Sequence, residues 1–311
     1  MTEHPASAPS RWPMATPMAF VATAALIVSV FQTTRKQPTL EHVSQPSGFS
    51  TAKANSSTAT PAEEQGRENI ETTLPEVIAM AETALEHLIT NVDDYTATLI
   101  KEEKDRNGVL QSANTIEMKV ATRHVGGKSG SPLKVYLKFV APNAVKGREV
   151  IWVENENDNK LSVREAGILG AMMTASLAPD GMLAMRGQRY PIWQIGLTNL
   201  IEQLIERGGE DIGDPNVSVT LESDFPYDGM RLTRIVLRRS SPSGKDNDFS
   251  SAEVIVDQKR QLVLKFCSYD WPDAPEDSPE VIESYSYQNV KLNVGLTDLD
   301  FDTENPEYTF P

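Results

Sequence analysis

Residues 132–154 read PLKVYLKFVAPNAVKGREVIWVE. Leu133, Val135, Leu137 and Phe139 alternate with Lys134, Tyr136 and Lys138, the period of a strand with one apolar and one wet face. Pro142 and Gly147 interrupt the run, and residues 148–154 resume as a second strand. A link this short joins antiparallel neighbours, because parallel strands need a crossover of a dozen or more residues.

The same alternation recurs on both sides. Upstream, Ile116, Met118 and Val120 oppose Glu117 and Lys119 over 115–122, preceded by residues 95–103. Downstream come 160–164, 217–222, 230–239, 252–257, 261–267 and 281–292. Turn clusters separate them, at 105–108, 126–130, 154–159, 240–245 and 257–260. Ten strands with short links predict one meandering antiparallel sheet. A sheet of that size curls, and its apolar face needs a cover.

Two helices supply part of that cover. Thr73-Leu74-Pro75-Glu76 is a capping box with proline in the first turn, and Ile78, Ala81, Leu85, Leu88 and Ile89 follow at helical spacing. A helix over 75–90 is expected. Pro191 opens a second, with Ile195, Leu197, Leu200, Ile201, Leu204 and Ile205 on its apolar side and Gly208-Gly209 as its stop. Between the strands and this helix lies a Met-rich insertion. Leu169, Met172, Met173, Leu177, Met182, Leu183 and Met185 are the candidate ligand-contacting residues, because methionine repacks around varied apolar shapes. A permanent core plug and a movable lid are both open readings of it.

The first third of the chain differs. Residues 12–34 carry no charge, between Arg11 and the pair Arg35-Lys36. As a helix this run reaches roughly 34 Å, against about 30 Å of hydrocarbon. No small-x-small cleavage site follows closely, so residues 1–36 are expected to be an uncleaved signal-anchor, with a cleaved signal and a non-membrane tail as the alternatives. Orientation stays open: the positive-inside count slightly favours Arg35 and Lys36 in the cytoplasm, the domain that follows an envelope location. Residues 37–72 are rich in Pro, Ser, Thr, Gln and Ala, and are expected to be a disordered tether holding the folded part, 73–311, on the order of 30 Å away.

Charge and chemistry narrow the function. Residues 1–60 hold four Lys/Arg and two Asp/Glu; 61–311 hold 25 and 42, so the folded part carries −17 and repels phosphate backbones. No H-E-x-x-H, G-x-S-x-G or Asp-rich metal loop is present. Gly127-Lys128-Ser129 lacks the glycine a P-loop needs at position 122, where Thr122 stands, and reads as a hairpin link. Glu154, Glu156 and Asp158 lack the glycine turn and closing Glu of a calcium loop. Cys267 is the single cysteine, on a strand, and Tyr285 and Tyr287 share a strand face, read as packing. The expectation is no enzyme, no cofactor and no metal.

The stretch 135–154, with its Lys146-Gly147-Arg148 link, and the closing stretch resemble a known family. That closing stretch runs from Tyr285 to Gly295, through Leu296-Thr297-Asp298-Leu299-Asp300-Phe301, to Asn305-Pro306-Glu307-Tyr308-Thr309-Phe310. Together they resemble a bacterial family of unknown function found in envelope proteins, similar to the LolA/LolB lipoprotein-localisation fold. The resemblance implies an α+β, mainly β fold: an incomplete, half-open antiparallel barrel of about ten strands, with two helices and the Met-rich insertion covering its concave face. It implies binding of a lipid or lipoprotein acyl chain as carrier, chaperone or sensor in the periplasm; with the run 12–34 read as an anchor, the domain is expected to be held at the inner membrane. An arginine inside the barrel ties down the lid in such carriers; Arg148, Arg164 and Arg234 lie on strands, and no motif selects one. The alternative is a protein-interaction or regulatory module with a filled core.

Overall fold

Asp228 and Gly229 both sit at positive φ, 48° and 73°, the two-residue hairpin link whose twist matches the strands it joins. Links of this kind turn the alternating segments into consecutive antiparallel pairs. The computed structural model describes residues 69–170, 172–245, 248–272, 274 and 277–311, with the side chains of Ile168 and Leu169 outside that set. The expected anchor, and the tether up to residue 68, also lie outside the described residues.

The strands are β1 (Asn69–Thr72), β2 (Asp94–Glu103), β3 (Asn114–Ala121), β4 (His124–Val125), β5 (Lys128–Ser129), β6 (Lys134–Ala141), β7 (Glu149–Val153), β8 (Leu161–Arg164), β9 (Ala175–Leu177), β10 (Val217–Tyr227), β11 (Met230–Arg239), β12 (Ser251–Asp257), β13 (Leu262–Tyr269) and β14 (Val281–Leu292). Twelve of them form one antiparallel sheet, ordered β1-β10-β11-β12-β13-β14-β2-β3-β6-β7-β8-β9, while β4 and β5 make a separate ribbon. β1 and β9 are its edges, so the sheet does not close into a barrel. The alternation predicts ten strands. Within the twelve-stranded sheet the two it misses, β1 and β9, are edge segments too short to show a period, and the two-residue strands β4 and β5 fall in and beside what the sequence reads as a turn cluster. β1 lies where the sequence reading has the tether end, and β9 lies within the Met-rich insertion.

Helix α1 (Leu74–Asn91) begins at the capping box: Thr73 Oγ1 accepts from the Glu76 N–H at 3.4 Å, and the Thr73 N–H donates to Glu76 at 2.8 Å. The second helix departs from expectation. Pro191 opens only a 3-10 turn, Ile192–Gln194, and α2 (Leu197–Gly209) starts after Gly196. The reason lies in a distant strand: Gly196 has φ 109°, and a Cβ there would lie 2.7 Å from the Tyr95 hydroxyl.

On the inner face Tyr95 lies opposite Val120, Leu99 opposite Ile116, Met118 opposite Leu137 and Val135 opposite Trp152. These side chains form one buried cluster with Leu88 of α1 and with Leu197 and Ile201 of α2. One wet face per strand is the sequence expectation, and β6 and β7 depart from it. Phe301, Tyr308 and Phe310 pack over Tyr136 and Ile151 on the outer face, so both faces are covered there.

Candidate functional site

The inner face is closed by residues 184–209, which run from a turn through the 3-10 segment into α2. Met185, Leu197 and Ile201 are buried, and Ala184, Ile192, Trp193, Ile195, Leu200 and Leu204 pack against the core. At one end the cover is pinned by the Leu197 N–H, which donates to the Tyr95 hydroxyl at 3.0 Å. Burial, with Tyr287 nearby, pushes the Tyr95 phenol well above its usual range, so it stays neutral.

The other end is held by charge. Along β2 the inward phase runs Tyr95, Ala97, Leu99, then Lys101 and Glu103. Glu283 of β14 is the register neighbour of Glu103, and Tyr285 sits beside both. The two carboxylate side chains are only 2% and 4% exposed, the desolvation that makes their partners obligatory. Lys101 Nζ lies 2.9 Å from Glu103 and donates to Gln188. The Tyr285 hydroxyl donates to Glu103 and lies 3.3 Å from Glu283. From the cover, the Arg189 N–H donates to Glu103 at 2.9 Å, and the Arg189 and Arg207 guanidinium groups reach Glu283 at 3.7 and 3.4 Å. Both arginines also donate to the Tyr190 hydroxyl at 3.0 Å, with Tyr190's ring centroid 5.6 Å from each guanidinium carbon. Burial works against the Arg207 charge, but Tyr190 and Glu283 outweigh it and hold its pKa above the ordinary value.

This cluster, not the methionines, ties the cover to the sheet. Met172, Met173 and Met182 are 70%, 53% and 88% exposed, Leu183 is half-buried, and Met185 alone of these is buried. Leu177 lies on edge strand β9, packed against the core. The Leu169 side chain lies outside the described residues. Of the six described side chains, Leu177 and Met185 turn to the core and Met172, Met173 and Met182 turn to solvent. The strand arginines have other partners: Arg148 pairs with Glu165, Arg164 donates to the Gly147 carbonyl, and Arg234 pairs with Glu222 and Glu253. Arg189 and Arg207 escaped sequence reading because nothing local marks them. The charged residues at inward strand positions, Lys101, Glu103 and Glu283, were the available signal.

Beneath the start of α2 lies a cavity of about 30 Å³, lined in part by Tyr95, Thr122, His124, Gly196 and Thr198. It has room for one or two waters, not for a hydrocarbon chain. Among the described residues no group of three His, Cys, Asp or Glu is placed to hold a metal. Glu154 is instead bound by Arg123 at 2.9 Å. Gly127 lies in the β4–β5 turn, and Lys128-Ser129 are strand β5. Burial pushes the Cys267 thiol up, away from the reactive thiolate. Among the described residues no helix is long and apolar enough to cross a membrane; residues 12–34 lie outside them.

Among curated proteins none matches this sequence. A family described as a protein of unknown function (DUF1571) matches residues 92–310. The chain belongs to that family. Similar solved structures include a DUF1329 family protein from Desulfovibrio piger, at 13% identity over 74% of this chain and 98% of that one, with TM-score 0.36. Mycobacterium tuberculosis lipoprotein LppX matches at 12% identity over 73% and 99%, with TM-score 0.37. A LolA superfamily protein from Nitrosomonas europaea matches at 11% identity over 71% and 97%, with TM-score 0.27. At these scores the architecture rests on the strand pairing above rather than on the likeness. The resemblance read from residues 135–154 and 285–310 thus leads to a family of unknown function, with a LolA superfamily protein among the similar structures.

Proposed function

We propose that this chain binds an apolar chain, such as a lipid or lipoprotein acyl group, on the inner face of its open sheet, beneath residues 184–209. The supporting observation is the asymmetric cover: apolar toward the sheet, and held at one end by a cluster of side chains that parts along the boundary between cover and strands. Each buried methylene contributes about 0.8 kcal/mol, so eight give on the order of 6 kcal/mol before the cost of ordering. The cavity beneath the start of α2 is too small for a hydrocarbon chain, so uptake there requires the cover to lift. No catalytic group is needed for such a carrier or sensor. Residues 12–34 act as the membrane anchor and the following segment as a tether, which keeps the domain in the cell envelope beside its source of ligand. Met172, Met173 and Met182 stand ready at the exposed insertion to meet the ligand on entry.

A second reading, an interaction module with a permanently filled core, draws on the small cavity and on the full burial of Leu197 and Ile201. One experiment separates them. The full chain is purified, extracted with organic solvent, and the extract examined by mass spectrometry, with binding of an apolar fluorophore measured in parallel. Co-purified lipid and saturable fluorophore binding are expected. An empty extract together with no fluorophore binding leaves the filled-core reading in possession.

A further inference from the structure

Lifting the cover takes two positive charges away from a buried acid. Glu283 of β14 lies 3.4 Å from the Arg207 guanidinium and 3.7 Å from that of Arg189. Both leave with the cover, still gathered about the Tyr190 hydroxyl. On the sheet Glu283 keeps the Tyr285 hydroxyl, 3.3 Å away, but that hydroxyl donates to Glu103. Burial and the two neighbouring carboxylates push the Tyr285 phenol up, so it adds no charge of its own. The lysines on and beside these strands are occupied: Lys101 by Glu103 at 2.9 Å, Lys104 by Asp270 at 2.8 Å, Lys265 by Glu253 at 2.8 Å. What the sheet then presents is one positive charge, Lys101, and two negative ones, Glu103 and Glu283, a net −1 with Glu283 left uncompensated.

The same face is graded along its length. The inward phase of β2 runs from Tyr95, Ala97 and Leu99, all buried and apolar, to Lys101 and Glu103. At about 3.4 Å per residue, Tyr95 and Glu103 are on the order of 27 Å apart. A tail laid on the apolar end therefore brings its head group to Glu283, the register neighbour of Glu103. A carboxylate held in such a place and deprived of its partners is best satisfied by a cation that donates hydrogen bonds.

We propose that the ligand is an amphiphile with a positively charged ammonium head group, which takes the place of Arg189 and Arg207 opposite Glu283 once residues 184–209 lift. This rests on the apolar-ligand reading above and narrows it. A neutral head group leaves Glu283 without a counter-charge, and an anionic one meets it with the wrong sign.

The test uses four ligands with tails of one length. The full chain, kept soluble in a non-ionic amphipol and washed free of lipid, is titrated at neutral pH in competition with an apolar fluorophore. The ligands are dodecylammonium, Nα-dodecanoyl-lysinamide, dodecanol and dodecanoate, and empty amphipol sets the background for each. Both ammonium ligands are expected to bind about tenfold or more tightly than dodecanol, with the advantage shrinking as salt rises. The ratio between the two tells the amine head of a lipid from the lysine of an acylated protein. Glu283→Gln is expected to bring both down to the level of dodecanol, while Glu283→Asp keeps part of the preference. A change in how easily the cover lifts moves all four affinities together and leaves the ratios untouched. Equal affinity for dodecanol and the ammonium ligands in the wild type, tightest binding of dodecanoate, or a preference that survives Glu283→Gln overturns the head-group assignment while leaving the apolar site intact. If none of the four binds, the apolar-ligand reading itself falls, and this one with it.

Discussion

The sheet is covered on both faces, and the two coverings are fastened differently. On the outer face, residues 296–310 are fastened along their length. Tyr308 stacks on Tyr136 with centroids 4.0 Å apart, Lys119 meets Asp300 at 2.7 Å, and Asp94 accepts the Val294 and Leu296 N–H groups at 2.7 and 3.1 Å. At the far end the fully buried Glu149 accepts from the Tyr136 hydroxyl at 2.8 Å and from the Thr309 N–H at 2.9 Å. On the inner face, residues 184–209 meet the sheet through apolar contact and concentrate their charged ties at Glu103 and Glu283. A strap pinned at many points has no single place to let go, whereas the cover, pinned at Tyr95 and tied by charge only at its other end, has one end at which a few ion pairs decide whether it opens. The cluster that can part as a unit thus lies on the inner face, and the outer strap is structural.

The sharpest way to break this comparison is to remove the strap's buried acceptor. Glu149→Ala leaves the buried Tyr136 hydroxyl without a partner, empties the space the carboxylate filled and releases the Thr309 end of the strap, and is expected to cost about 4 kcal/mol of global stability. Urea denaturation reads it directly; a loss below about 1 kcal/mol would mean that the strap is held by its apolar contacts alone. The next effect belongs to the cover. Gly196→Ala puts a Cβ against the Tyr95 hydroxyl at a φ that alanine tolerates poorly, for on the order of 3 kcal/mol. Hydrogen exchange then discriminates: amides of 184–209 should lose protection while those of 296–310 keep theirs. Equal loss in both segments would show that the two coverings unfold as one unit.

The strands of this fold were legible because alternation is a property of each segment alone. The Thr73 capping box was legible for the same reason. What escaped depended on contacts between distant segments. Leu296, Phe301 and Tyr308 were visible as a pattern, yet nothing in them said that they cover Tyr136, so β6 was read as having a wet face. Pro191 looks like a helix start, but the helix begins at Leu197 because Tyr95, a hundred residues earlier in the chain, leaves room only for Gly196. The methionines drew attention by their chemistry, although Met172, Met173 and Met182 remain exposed. The arginines that fasten the cover carried no local mark. The better clue lay in the strands, where Lys101 and Glu103 continue the inward phase of Tyr95, Ala97 and Leu99: a charge at an apolar position demands a partner brought in from elsewhere.

The smallest expected effect is a pH dependence that the strap carries and the arginines of the cover do not. Burial works against the Asp300 charge, but Lys119 and the Thr297 N–H outweigh it and hold its carboxyl below the usual Asp value. A folded pKa below the unfolded one means a contribution that is complete above the unfolded value, about 4, and lost as the pH falls through the folded value. Arg189 and Arg207 are shifted the other way, upward, so their own titration removes nothing until strong alkali. Asp300→Asn should therefore flatten part of the fall in urea stability between about pH 5 and pH 3, by roughly 1 kcal/mol, and bring wild type and variant together at the acid end. An unchanged slope would place the Lys119–Asp300 pair among surface contacts of no consequence, and the strap's hold would then reside in Tyr136, Tyr308 and Glu149 alone.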